Sequence, residues 1–287
     1  MDIKAIDALN YPTQCCPEVR EKRNEQWYEY RKMFESGLFR GGYAPTQNSL
    51  EEMIAEMDET GYEKVIITAG YFWSYREQRL VDAYSVDIVR DLVERANGRV
   101  VGGASYNPFR IMESLQEIEQ AIKKYGFKYV YFHGMIFGTG MKLNDRKFYP
   151  LYAKCCELGV PVGMQVGHSA EALPSETGHP MFLDRVALDF PDLKIVLSHT
   201  GWPWTDEFTA MVRKHQNVYG DISAWPPKTL PKSLVEFLGS RLGQDKILFG
   251  TNGLGFKMCK EQFLELPIRD EAKSKILREN ALKLFNL

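Results

Sequence analysis

The chain has 287 residues, 44% hydrophobic, 26% charged and 13% aromatic, which is enough to bury a full core and excludes both a disordered segment and a disulfide-stapled mini-protein. Lysine and arginine number 36 against 38 aspartate and glutamate, a formal charge of −2, so no cationic excess exists for a nucleic-acid backbone or an anionic membrane. No uncharged apolar run of about 18 residues occurs, and Met1 leads into Asp2-Ile3-Lys4 with no signal-like apolar stretch, so a cytoplasmic protein without membrane or nucleic-acid partners is expected.

In chain order, short apolar and β-branched runs at residues 3–9, 64–69, 100–105, 129–133, 160–166, 193–199, 218–223 and 246–251 predict eight strands. Between them, apolar residues spaced three and four apart predict helices, among them 80–95, 112–124, 148–158, 182–190 and 230–238. Eight βα units over roughly 250 residues match an α/β architecture of one (β/α)8 TIM barrel better than an open sheet, so residues 1–287 are expected to form a single domain. Residues 11–48 break the rhythm, being too long for a βα loop and carrying a helical pattern near 26–34. An insertion after the first strand lies at the C-terminal face, where it is expected to cover the mouth as a lid or to support a subunit interface in a homo-oligomer. The five cysteines, in two adjacent pairs and one single residue, have neither a disulfide framework nor zinc-ligand spacing and are expected to be reduced.

In a barrel of this kind, chemistry sits at the C-terminal ends of the strands and in the loops after them. That rule selects Asn10 and Tyr11 after the first strand, Tyr71, Phe72, Trp73 and Arg76 after the second, Asn107 after the third and His133 after the fourth. It adds Gln165 and His168 after the fifth, His199 and Trp202 after the sixth, Asp221 and Trp225 after the seventh, and Asn252 after the eighth. One strand-end histidine is as readily structural as functional, but His133, His168 and His199 end or follow three consecutive strands and so converge on one cavity suited to proton transfer. The segment Tyr71-Phe72-Trp73-Ser74-Tyr75-Arg76 reads as a mouth loop whose rings and guanidinium either pack a lid or bind a flat carboxylated compound.

Several segments carry a resemblance. They are Ile6-Asp7 in the first strand, Asn144-Asp145 through Phe148-Tyr149-Pro150-Leu151-Tyr152 to Leu158-Gly159-Val160-Pro161-Val162, and Asp189-Phe190-Pro191-Asp192-Leu193-Lys194. Ser198-His199-Thr200-Gly201, Ile247-Leu248-Phe249-Gly250-Thr251 and Glu279-Asn280-Ala281-Leu282-Lys283-Leu284-Phe285 complete the series. In this order they resemble the amidohydrolase superfamily, in the branch of aminocarboxymuconate-semialdehyde and γ-resorcylate decarboxylases, over essentially the whole chain. The resemblance implies a hydrolase or carboxy-lyase acting on a small cyclic or aromatic carboxylated compound.

The metal site that the resemblance implies is degenerate here. Metal-bearing members end the first strand in Asp-x-His-x-His, whereas Asp7 is followed by Ala8, Leu9, Asn10 and Tyr11. Gln165 stands where a histidine is expected and Asn252 where an aspartate is, so only His199 is retained. Leucine and amides do not replace imidazoles and a carboxylate around Zn²⁺. The expectation is therefore an enzyme without a metal cofactor, in which His199, His133 and His168 transfer protons and Tyr11, Asn10, Trp73, Arg76, Gln165, Trp202 and Asn252 bind substrate. Two alternatives stay open: a pseudoenzyme that binds a small acid without turnover, and a Zn or Mn site relocated to His133, His168 and His199 with Asp221.

Overall fold

The computed structural model describes residues 3–35 and 47–287. Eight parallel strands form one sheet: β1 (Ala5–Asn10), β2 (Tyr62–Thr68), β5 (Val100–Ala104), β6 (Tyr129–Phe132), β7 (Val162–Gln165), β8 (Ile195–Ser198), β9 (Val218–Asp221) and β10 (Ile247–Leu248). They are hydrogen-bonded in that order. The sheet closes on itself where the Ala8 N–H donates to Phe249 O at 2.9 Å and the Asn252 N–H to Leu9 O at 3.1 Å, making a TIM barrel. All eight strands coincide with predicted runs, because buried parallel strands must be apolar on both faces and so read as continuous β-branched segments. Inside the barrel, Gly163 leaves room for the Tyr129 ring and hydroxyl, which any Cβ at that position would overlap.

Helices follow the strands with local signals. α3 (Leu50–Thr60) begins where Ser49 accepts from the Glu52 N–H at 3.1 Å and ends at Gly61, whose φ of 73° needs a residue free of Cβ crowding. α4 (Val86–Arg95), α5 (Ile111–Tyr125), α7 (Tyr149–Leu158), α8 (Leu183–Asp189) and α10 (Lys232–Leu238) answer to five predicted helices. α9 (Thr205–Lys214) and α11 (Phe256–Leu264) also pack on the outside, while α6 (Gly134–Thr139) follows β6 on the mouth side.

Two departures shape the mouth. The stretch expected as a helix from residue 80 begins instead as β4 (Arg79–Tyr84), antiparallel to β3 (Gly70–Ser74), and the helix starts only at Val86, capped by Ser85 accepting from the Ile88 N–H at 3.3 Å. Residues 71–76 are accordingly a hairpin and not a loop, so their side chains alternate between its faces. In the insertion, the helical pattern near 26–34 becomes two helices, α1 (Pro17–Gln26) and α2 (Tyr28–Glu35); the remainder of the 11–48 segment, residues 36–46, lies outside the described residues.

The insertion is latched onto the hairpin. Glu29, 1% exposed, accepts from the Ser74 hydroxyl and the Arg76 N–H, both at 2.9 Å, and its backbone carbonyl accepts from the Ala172 N–H at 3.1 Å. Lys22 pairs with Asp82 of β4 at 2.8 Å. Glu29→Ala leaves two donors facing an empty acceptor site, which should lower the local opening free energy of α1–α2 by about 1–3 kcal/mol. Hydrogen exchange should then quicken in residues 17–35 while the barrel strands keep their protection; unchanged exchange there would show that the latch contributes nothing.

Candidate active site

A cavity at the C-terminal end of the barrel is bounded below by strand ends and above by the insertion. Tyr11, His133, Gln165, His199 and Asn252 line it from the ends of β1, β6, β7, β8 and β10. Arg23, Trp27, Tyr30 and Met33 of α1 and α2 roof it, with Phe72 and Tyr84 of the hairpin and Ala170 and Glu171 of the loop after β7 at the sides. Five of the ten predicted site residues thus meet in one place.

His199 has a left-handed backbone, φ 74°, immediately after β8. Its N–H donates to Asp221 Oδ1 at 3.3 Å and its Nδ1 lies 2.7 Å from Ser223 Oγ, while the Ser223 hydroxyl donates to Asp221 Oδ1. A serine hydroxyl has one proton; with that proton on the aspartate, the imidazole hydrogen belongs on Nδ1, leaving Nε2 as the basic nitrogen. Burial pushes the imidazole pKa down to about 4, against the opposing pull of Asp221, so His199 is held neutral. The residue is 6% exposed and not solvent-facing, because α1 and α2 cover it.

His133, at the end of β6, faces a carboxylate that the strand-end rule did not select. Its Nε2 lies 3.3 Å from Glu171 Oε1, and Glu171 Oε2 accepts from the Ser169 hydroxyl at 2.6 Å. Burial works to raise the Glu171 pKa, but the hydrogen bonds from His133 and Ser169 and the His133 charge bring it down to about 2. An acid in the loop after a barrel strand was a signal available in the sequence.

A second buried network lies behind the cavity floor. Asp7 accepts from the Leu9 N–H at 3.2 Å, the Asn10 side chain at 2.6 Å, the Thr251 N–H at 2.9 Å and the Thr251 hydroxyl at 2.5 Å. The Asn10 amide nitrogen is engaged there, with Asp7 and with Thr251, and the residue does not line the cavity, so it joins β1 to the segment after β10.

Four further expectations are corrected by side-chain direction. Trp73 alternates away from the cavity and stacks on Phe109 at 4.6 Å, and its neighbour Phe72 points in. Arg76, in the hairpin turn, is exposed and lies over the Tyr28 ring at 4.5 Å; the guanidinium in the cavity is that of Arg23. Trp202 is 43% exposed and packs against Trp225 at 5.4 Å, and His168 lies edge-on to Trp202 at 4.9 Å, so both occupy the rim. Arg23 had no sequence signal: α1 is polar nearly all round, and nothing in its spacing marks which polar residue is covered.

The family model for amidohydrolases matches residues 40–287. The chain belongs to the amidohydrolase family. Among curated proteins none matches it in sequence. Similar solved structures include an uncharacterised TIM-barrel protein from Bordetella bronchiseptica, 28% identical with a TM-score of 0.75, covering 99% of this chain and 98% of that one. A 2,6-dihydroxybenzoate decarboxylase from Rhizobium is 15% identical with a TM-score of 0.67 over 99% of this chain and 98% of its own. A dihydroxybenzoic acid decarboxylase from Polaromonas, solved with manganese and the inhibitor 2-nitroresorcinol, is 17% identical with a TM-score of 0.66 over 99% and 97%.

A manganese-type site needs several anionic or imidazole donors on one point. In this family member, Leu9, Tyr11, Gln165 and Asn252 stand where the resemblance places ligands, which leaves His199 Nε2 as the one imidazole nitrogen of that set, while His133 Nε2 lies against Glu171. Among the described residues no three His, Cys, Asp or Glu side chains are grouped to hold a metal ion, including the alternative set of His133, His168, His199 and Asp221. The donor set does not fit the metal.

Proposed function

We propose that this amidohydrolase is a carboxy-lyase for a small aromatic or cyclic carboxylated compound that works by side-chain acid–base chemistry without the metal its relatives use. The observation that carries the reading is the Asp221–Ser223–His199 chain ending in a neutral imidazole in a closed, ring-lined cavity. The dihydroxybenzoate decarboxylases of the same fold support the substrate class. His199 Nε2 takes the proton of a hydroxyl ortho to the carboxylate and returns it to the ring carbon bearing that carboxylate. The carbon–carbon bond then breaks, its electron pair flows into the ring ketone, carbon dioxide leaves, and the phenolate takes a proton from water. Gln165 and Asn252 supply amide donors toward the developing oxyanion.

A second reading, hydrolysis of a carboxylated cyclic ester, is favoured by the neutral state of His199, which keeps an imidazole lone pair available to take a proton from an attacking water. The test is one assay with two products. Protein dialysed against a chelator and checked for metal content is incubated with 2-hydroxy and 2,6-dihydroxybenzoates and with carboxylated lactones, while carbon dioxide and ring-opened acid are measured. Turnover unaffected by chelation is expected; activity lost on chelation and restored by zinc or manganese would overturn the metal-free mechanism, and binding without either product would assign the chain a non-catalytic role. In the active protein, kcat/KM should stay level as pH falls through 6.5 and drop only near 4, because His199 loses its lone pair there; a drop centred at 6.5 would assign the base elsewhere.

A further inference from the structure

Arg23 is 7% exposed, yet none of its hydrogen bonds reaches a charged group. One terminal nitrogen donates to the Thr13 hydroxyl at 3.3 Å, the other to the Asn24 side chain at 3.4 Å, and Nε, fully buried, has no partner. The guanidinium lies 3.7 Å over the Tyr30 ring. Glu171, a carboxylate lining the same cavity, is already engaged by His133 and Ser169. Among the described residues no carboxylate lies within ion-pair distance of Arg23, and its charge is supported by the Tyr84 and Tyr30 hydroxyls and, from further off, by Glu171. A buried cation of this kind is costly unless an anion completes it, and its planar fork matches a carboxylate.

We infer that Arg23 is the anion site of the cavity, carried on the insertion, and that it binds a ligand carboxylate which the reaction leaves in place. The second part follows from charge flow. An ion pair to the departing carboxylate is strongest before carbon dioxide forms, so Arg23 would hold the ground state and oppose the reaction. A carboxylate elsewhere on the ring is held equally before and after bond cleavage, which fixes register at no catalytic cost. Because Arg23 belongs to α1, the same pair ties ligand binding to docking of the insertion over the mouth. The inference rests on the reading that the cavity takes a carboxylated compound, but not on turnover.

The experiment measures binding of benzoate and of its neutral isostere benzamide by calorimetry, in the full-length protein and in Arg23→Gln and Arg23→Lys. Benzoate affinity should fall about 10- to 100-fold in Arg23→Gln, with benzamide unchanged, and Arg23→Lys should recover part of the loss as a point charge without the fork. Equal losses for benzoate and benzamide would make Arg23 a packing residue, and an unchanged benzoate affinity would remove it from the site; either result overturns the inference. Benzoate binding that depends on Arg23 in a protein showing no turnover would defeat the proposed reaction and leave the anion site standing. With a substrate that is turned over and carries a second, spectator carboxylate, Arg23→Gln should raise KM and leave kcat nearly unchanged. A fall in kcat at constant KM would show that the guanidinium acts on the reacting group, contrary to the inference.

Discussion

Replacing His199 by glutamine should give a folded protein whose turnover is about 10²- to 10⁴-fold slower, since an amide hydrogen-bonds but cannot exchange a proton near neutral pH. Folding should survive because the backbone already sits at φ 74° with a non-glycine residue, and glutamine, unbranched at Cβ like histidine, adds no crowding there. Benzoate affinity should change little if Arg23, in the roof of the cavity, holds the carboxylate. His199→Ala is harsher: it leaves Ser223 and Asp221 in a void, so some stability should go with the activity. Steady-state kinetics with parallel thermal unfolding distinguishes the cases. Full turnover in His199→Gln would remove the base from His199 and make His133, which pairs with Glu171 in the same cavity, the next residue to test.

Asp7→Ala should be the most destabilising single change at the barrel seam, costing about 4 kcal/mol or more, because four donors lose one buried acceptor at once. Two of those donors come from Thr251, so the loss falls where the segment after β10 meets β1 and the barrel closes. The same carboxyl predicts a pH dependence. Burial raises its pKa from 3.8 to about 7, against the lowering pull of the Thr251 and Leu9 donors, so between those values the native state holds more protons than the unfolded chain. Its contribution to stability is therefore complete below 3.8 and is lost as pH rises through about 7. Asp7→Asn should flatten that slope at some cost in hydrogen bonding. Urea midpoints at pH 5 and pH 8 for both variants measure each effect, and a wild-type midpoint that rises across this interval would refute the assignment to Asp7.

The barrel and the floor of its cavity were legible in the sequence because both follow from one-dimensional rules. Parallel strands buried on both faces leave apolar runs that survive any detail of packing, and residues just past such runs must emerge on one face of the barrel. The order of the strands alone therefore puts Tyr11, His133, Gln165, His199 and Asn252 at one end of the barrel, where they line one cavity. The degenerate ligand pattern at Leu9, Tyr11, Gln165 and Asn252 was equally a matter of order along the chain.

What only the tertiary structure decided was direction and pairing. Phe72 and Trp73 are neighbours in sequence, and the pairing of β3 with β4 alone turns one into the cavity and the other onto Phe109. His168 follows the same strand as Gln165, yet three more residues carry it to the Trp202–Trp225 rim. Arg23 and Arg76 are both arginines near a mouth; which is buried depends on how α1 docks, through Lys22 on Asp82 and Glu29 on the hairpin, and such long-range contacts leave no period in a polar helix. Glu171 gained its role by meeting a histidine 38 residues earlier in the chain. Hydrophobic pattern determines which segments are buried, and the site chemistry depends on which polar groups those segments then enclose together.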